Sequence, residues 1–368
     1  MRTWKQLTVK QRTSRMILAG VFALVGGGLV GRWTGSTPTA TAAQKHTIVQ
    51  KHTATPAPQA KAVPAPKGPL PGDLLIADEG NKRLLIVTPQ KKIVWSMNLA
   101  SLDSKANTGA DDAFLTPDMK HIIINEENNQ VIALISIAKK KIIWTYGHPG
   151  VAGSKPGYLN TPDDAYMLPN GLITVADIKN RRILVINPKT NRIVKQIGNG
   201  IWTHNPPISF AAPNGDTPLP DGGMLVTEID GSYADRLTKT GKLVYTVHFP
   251  NVTYPSDTQL MPNGDLMTVD YSSPGRIEIV TPKGQVVWDY YYTSGNAKLN
   301  HPSLAIRLPN GYIALNDDYN DRVIIVDPKT KKIVWQYGHT GQEGSKYGYL
   351  AEPDGIDFVP PSVIANLK

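Results

Sequence analysis

Apolar and polar positions alternate in short bursts along most of the chain, most clearly over residues 162–198. Four runs of β-branched and aliphatic residues, 163–168, 172–177, 183–187 and 192–197, are broken by Pro169-Asn170-Gly171, by a loop at Lys179-Asn180 and by Pro188-Lys189-Thr190-Asn191. A period of two predicts strands, and Pro, Asn and Gly between them predict tight turns, so the stretch reads as a four-stranded antiparallel meander. The same pattern returns with inner strands opening at Pro162, Pro213, Pro255, Pro302 and Pro353, and Ala110 stands in that place earlier. One meander cannot bury both of its faces alone. Recurrence therefore predicts an all-β fold in which blades stack radially, a β-propeller. Residues 72–97 supply three strands without an inner one, and 353–360 supply an inner strand with nothing after it. Joined, they make one blade, so a six-bladed propeller is expected over 72–360, closed by its C-terminal strand and followed by a short tail at 361–368.

Charge divides the chain in two. Net charge is +9, yet every acidic residue lies beyond residue 70, while Arg2, Lys5, Lys10, Arg12, Arg15 and Arg32 crowd the beginning. The propeller is close to neutral, which argues against a nucleic-acid partner. A basic segment at 1–15 precedes an uncharged run at 16–31, with Arg32 and Trp33 just beyond it. That order predicts a single membrane-spanning anchor at 16–34, with the N-terminus cytoplasmic and the propeller outside. Cleavage near Ala40-Thr41-Ala42, giving a secreted protein, is the alternative. The Pro, Ala and Thr composition of 35–71 predicts an extended linker. The chain has no cysteine, which excludes disulfides, thiol catalysis, a lipidated cysteine anchor and Cys-type zinc sites.

Two repeated features read as structural. Trp95, Trp144, Trp288 and Trp335 occupy one position of the outer strand, where Lys195 and Tyr245 stand in the other two copies. A large aromatic there is expected to pack between blades. Asp78 with Asn81 and Arg83, Asp177 with Asn180 and Arg182, and Asp317 with Asn320 and Arg322 flank the turn between strands two and three. Asp270 with Arg276 and Asp230 with Arg236 look like weaker copies. An acid ending one strand and an arginine starting the next are expected to pair across the hairpin.

The run Val175-Ala176-Asp177-Ile178-Lys179-Asn180-Arg181-Arg182-Ile183-Leu184-Val185 resembles the core of an NHL repeat, and Tyr146-Gly147-His148-Pro149-Gly150 through Tyr158 and Pro162 resembles its connector between blades. That resemblance implies a six-bladed scaffold that mostly binds proteins or other ligands. The Trp-bearing strand is also similar to PQQ-like repeats. Six blades and the lack of a vicinal cysteine pair speak against a PQQ cofactor.

The chemistry-bearing candidates collect at the start of the inner strands. The second positions are Asp111, Asp163, Asn214, Ser256, Ser303 and Asp354; Asp112, Asp164 and Asp257 follow three of them. His148, His204, His301 and His339 lie in the connectors that lead into these strands. Connectors and strand two–three turns emerge on the same face, so these groups are expected around one mouth of the central channel. Three uses are open: capping of backbone and channel water, binding of a ligand or ion, and catalysis. Oxygen ligands from Asp111, Asp163 and Asp354 suit calcium, and the histidines suit zinc, although no local metal-spacing motif is present.

A tethered extracytoplasmic binding module is the leading expectation, monomeric, engaging a protein, a wall polymer or a small ligand. The alternative is an enzyme. His301-Pro302-Ser303 ahead of Leu308-Pro309-Asn310-Gly311 is similar to bacterial aryl sulfotransferases, and the resemblance implies His301 as nucleophile with His204, Arg307 or His339 stabilising an oxyanion. A metal-dependent lyase of NHL type, with histidine-bound zinc, is a further option.

Overall fold

The computed structural model describes residues 68–99 and 109–365. These residues form six four-stranded antiparallel sheets. Blade two runs Ala113–Leu115, His121–Glu126, Val131–Ser136 and Lys141–Gly147, and blade three runs Pro162–Met167, Ile173–Asp177, Arg182–Asn187 and Arg192–Ile197. The inner strands of blades four, five and six are Pro213–Gly215, Pro255–Leu260 and Ala305–Arg307. Blade one joins the two ends of the described fold. Its inner strand, Pro353–Val359, pairs antiparallel with Asp73–Asp78 in the register Asp73↔Val359, Leu75↔Asp357 and Asp78↔Pro353. The closure leaves no open sheet edge between first and last blades, which is why a linear repeat ends as a ring.

Second strands are buried along their whole length, as in Ile173–Asp177 and Ile313–Asp317, whereas outer strands alternate exposed and covered positions. This difference follows from place in the blade, because inner layers have a sheet on both faces and the rim has water on one. The outer-strand tryptophans pack as expected and add a polar latch. The Trp95 indole donates to the Ile137 carbonyl at 2.9 Å, Trp288 to Pro328 at 2.8 Å and Trp335 to Pro89 at 2.9 Å, each on the hairpin of the next blade. Trp144 reaches the Asn191 side chain of the following blade, and Lys195, in the same place, reaches the Lys239 carbonyl at 3.4 Å. An amphipathic side chain that is apolar along its body and donates at its tip serves both needs of a blade junction.

Both ends of the propeller extend beyond the expected boundaries. Leu70, placed in the linker by composition, is buried in the core, and Asn310 donates its amide to the carbonyls of Gly68 and Pro69. The expected tail at 361–368 begins as a short helix, Pro361–Ala365, with Val363 and Ile364 buried against Leu75, Met97 and Ile137. The basic segment, the anchor at 16–34 and the linker up to residue 67 lie outside the described residues. No helix among the described residues is long and apolar enough to cross a membrane.

Candidate functional site: an acidic channel mouth

Strand two ends on an acid in every blade: Asp78, Glu126, Asp177, Glu228, Asp270 and Asp317. Three of them form the expected latch. Arg83, Arg182 and Arg322 bond through Nε to Asp78, Asp177 and Asp317 at 2.6, 2.7 and 2.7 Å. The same carboxylates accept from Asn81, Asn180 and Asn320, and from the backbone of the incoming connector at Ala351, Asn160 and Asn300. Each latch therefore fixes a connector as well as a hairpin. The weaker copies do otherwise. Asp270 accepts from Thr253 and Tyr254 while Arg276 bonds Asp289. Arg236 bonds Asp221, and Asp230 accepts from the Trp202 indole. Blade four's latch acid is Glu228, bonded to the Ala211 amide and to His204 Nδ1, the latter at 2.9 Å.

The residues after the latch acids form a second, asymmetric set. Blades six, one and two contribute Asp318, Glu79 and Glu127; blades three, four and five contribute Ile178, Ile229 and Tyr271. The inner-strand candidates meet the acidic arc. Carboxylate oxygens of Glu79, Asp111 and Asp354 all lie within 4.8 Å of one another, and so do those of Asp112, Asp163 and Asp164 one layer further in. Burial, with Glu79, Glu127, Asp354 and Asp163 adding repulsion, pushes Asp111 well above the ordinary carboxylate range. Burial likewise raises Asp318, where Asp354 adds to it, and Asp257 in the inner layer. Around the rest of the ring the second positions bond across blade boundaries. Asn214 donates to Ser256 at 3.4 Å, and Ser303 donates to the Asp354 carbonyl at 2.6 Å.

The four histidines divide among separate junctions. His148 packs on Tyr158 with ring centroids 4.0 Å apart, and His339 on Tyr349 at 4.2 Å, each inside its own connector. His301 lies between Tyr271 and Tyr319, bonds the Asn300 side chain through Nδ1, and is lowered in pKa by burial, against the pull of Asp270. His204 stacks on Tyr233 at 3.9 Å. Among the described residues no three-ligand cluster contains two of these histidines; the one that contains any is His204 with Glu228 and Asp235. Arg307 ends its inner strand at the hairpin rim, beside Gly311 and away from the connectors.

Sequence reasoning missed Glu79, Asp318, Glu228 and Asp235. A signal for the first two was present, since each follows a latch aspartate. Glu228 was obscured because Asp230 imitates the expected spacing.

Several buried acids make stability depend on pH. Burial raises Glu126 to about 7 against the Asn129 amide and Lys82, and raises Asp357 to about 7 against the amides of Leu115 and Phe358. Burial, reinforced by the hydrogen-bonded Glu228, raises Asp235 to about 8, with the Thr246 hydroxyl and His204 opposing. All three folded values lie above the unfolded ones, so between about pH 4 and 8 the native state holds protons that the unfolded chain has released. Stability is expected to fall as pH rises through this window, by at most about 1.4 kcal/mol per group per unit. Thermal unfolding followed by circular dichroism should show a lower melting temperature at pH 9 than at pH 5. A rise would contradict these environments.

The geometry has parallels among solved structures. A protein of unknown function from Bacteroides caccae superposes with TM-score 0.55 at 18% identity, covering 77% of this chain and 97% of its own. A streptogramin B lyase gives 0.52 at 18%, covering 77% and 83%. A chain of the nidogen/laminin complex gives 0.52 at 15%, covering 78% and 98%. At these identities the likeness shows the propeller fold alone. No protein-family model and no curated protein matches the chain. The NHL-like and PQQ-like resemblances therefore remain resemblances.

Proposed function

We propose that this protein is a binding propeller whose connector-face mouth captures a cationic, partly apolar group, such as a lysine or amine-bearing side chain of a partner. One observation carries the reading: Glu79, Asp111 and Asp354 bring carboxylate oxygens within 4.8 Å of one another at the channel entrance. Buried like charges of this density favour a positive guest, because a cation relieves both repulsion and desolvation. Asp318 lies beside them, 1% exposed, and its Oδ2 has no hydrogen-bond partner. At the same position blades three, four and five carry Ile178, Ile229 and Tyr271, suited to the apolar part of such a guest.

The described residues begin at the face opposite the mouth. Asn310, which holds Gly68 and Pro69, lies in the turn between the first two strands of blade six, at the end opposite the connectors. The test is binding of the purified full chain to a fluorescent lysine-rich peptide and to a glutamate-rich one of equal length. The lysine peptide should bind, weaken as salt rises, and bind about tenfold more weakly to a variant carrying Asp111→Asn and Asp354→Asn. Equal binding of both peptides, or binding untouched by the double substitution, would refute the reading.

The enzyme reading has one supporting geometry, the half-buried His204 held by Glu228 with Asp235 close by. An orienting carboxylate behind an imidazole suits acid–base work. A sulfate-ester donor is disfavoured at the mouth, where an anionic guest would meet Asp111, Asp318 and Asp354.

A further inference from the structure

A second group of carboxylates gathers around the third position of the inner strands. Those positions are Asp112 in blade two, Asp164 in blade three, Gly215 in blade four, Asp257 in blade five, Leu304 in blade six and Gly355 in blade one. Three carboxylates are thus interleaved with two glycines. The glycines make the room. A Cβ on Gly355 would come within 2.9 Å of Asp112 Oδ1 and 2.6 Å of its Cα, and a Cβ on Gly215 within 3.2 Å of Asp257 Oδ1. Asp164 and Asp257 occupy left-handed bulges, with φ of 34° and 41°, that aim each side chain differently from a regular strand residue.

Two observations point to a ligand. Oxygens of Asp112, Asp163 and Asp164 lie within 4.8 Å of one another. Atoms bound to one calcium ion at about 2.3–2.6 Å are separated by no more than roughly twice that distance. Independently, Asp164 is only 2% exposed, yet its Oδ2 has no hydrogen-bond donor. Asp257 differs, since Thr217, Thr258 and Gln259 donate to it at 2.5, 2.6 and 2.7 Å. It is an oriented carboxylate with donors already in place, facing a neighbour that lacks one. The charges weighing most on Asp112 and Asp164 are all carboxylates, including Asp163 and Asp257 for both.

We propose that the inner channel is a structural site for a hard divalent cation, calcium, held by the carboxylates of Asp112, Asp163 and Asp164 with Asp257 alongside. Oxygen-only ligands select calcium over zinc, which prefers nitrogen and sulfur. The ion bridges the inner strands of blades two and three and neutralises the floor beneath the mouth. It deepens the reading of the channel as cation-seeking but uses different residues from the partner-binding rim.

The experiment uses the purified full chain, stripped with EDTA and dialysed. Calcium chloride, magnesium chloride and zinc chloride are then added in separate calorimetric titrations and thermal melts. One equivalent of calcium is expected to bind. At a calcium concentration about 100-fold above the dissociation constant, the melting temperature should rise by about 5 °C. Asp164→Asn should weaken calcium binding by about tenfold or more while melting in EDTA at no lower temperature than wild type, which separates lost ligation from misfolding. Asp354→Asn, on the rim, should keep calcium binding whatever becomes of lysine-peptide binding, so failure of the mouth reading and failure of this one are distinguishable. No calcium-dependent heat or melting shift in the wild-type chain, tighter binding of zinc than calcium, or calcium binding indifferent to Asp164→Asn would each overturn the assignment.

Discussion

Deleting residues 353–368 is expected to abolish cooperative unfolding. The deletion removes the inner strand of blade one, and with it the ladder to Asp73–Asp78 and the buried side chains Ile356, Val359, Val363 and Ile364. At about 1.5–3 kcal/mol for each apolar side chain returned to water, the loss approaches 10 kcal/mol, comparable to the whole stability of a typical domain. It also exposes Leu74 and Ile76 on a sheet edge that invites aggregation. A synthetic peptide spanning 353–368 should restore part of the melting transition when added in trans. A truncated chain that melts as sharply as the full one would show that ring closure contributes little.

The second large effect is expected at Arg322. Its side chain is fully buried against an equally buried Asp317, and it donates to Asn296, Thr340 and Lys298 as well. Arg322→Met should destabilise by about 3–5 kcal/mol, because Asp317 is left buried without its counter-ion and three further acceptors lose their donor. Arg83→Met should cost much less, since Arg83 is 20% exposed and water can replace part of the lost solvation. Combining Arg322→Met with Asp317→Leu should recover part of the loss despite removing a second polar residue. Denaturant unfolding of the three variants checks this order, and equal losses at the two arginines would contradict it.

Much of this architecture was legible because the repeat is written in turn chemistry. Inner strands that open on proline, Asn-Gly turns and a period of two are local signals, and counting them gives the six blades. Closure by Pro353–Val359 was also readable, because one copy lacked the strand that another had to spare. What escaped was whatever depends on neighbours in space. Leu70 belongs by composition to the linker and is buried only because blade six stands beside it. Asp318 and Glu79 look like turn residues until three consecutive blades bring them together. The packing of the histidines was equally out of reach of the sequence: His148, His204, His301 and His339 each lie against a tyrosine, and only the fold brings those rings together.

The central claim is that the mouth carboxyls repel one another and await a positive guest, beyond any backbone capping they do. The thermal stability of Asp111→Asn at pH 8 in EDTA tests it most directly. Asn keeps an oxygen to accept the Glu127 amide, now bonded to Asp111 Oδ2 at 3.0 Å, and replaces the ionisable oxygen by a neutral NH2. The account predicts that the variant melts about 2–4 °C higher than wild type, as expected when roughly 1 kcal/mol of repulsion is relieved. A variant that melts lower would show that the charge at Asp111 stabilises the fold, and the cation-seeking mouth would have to be abandoned.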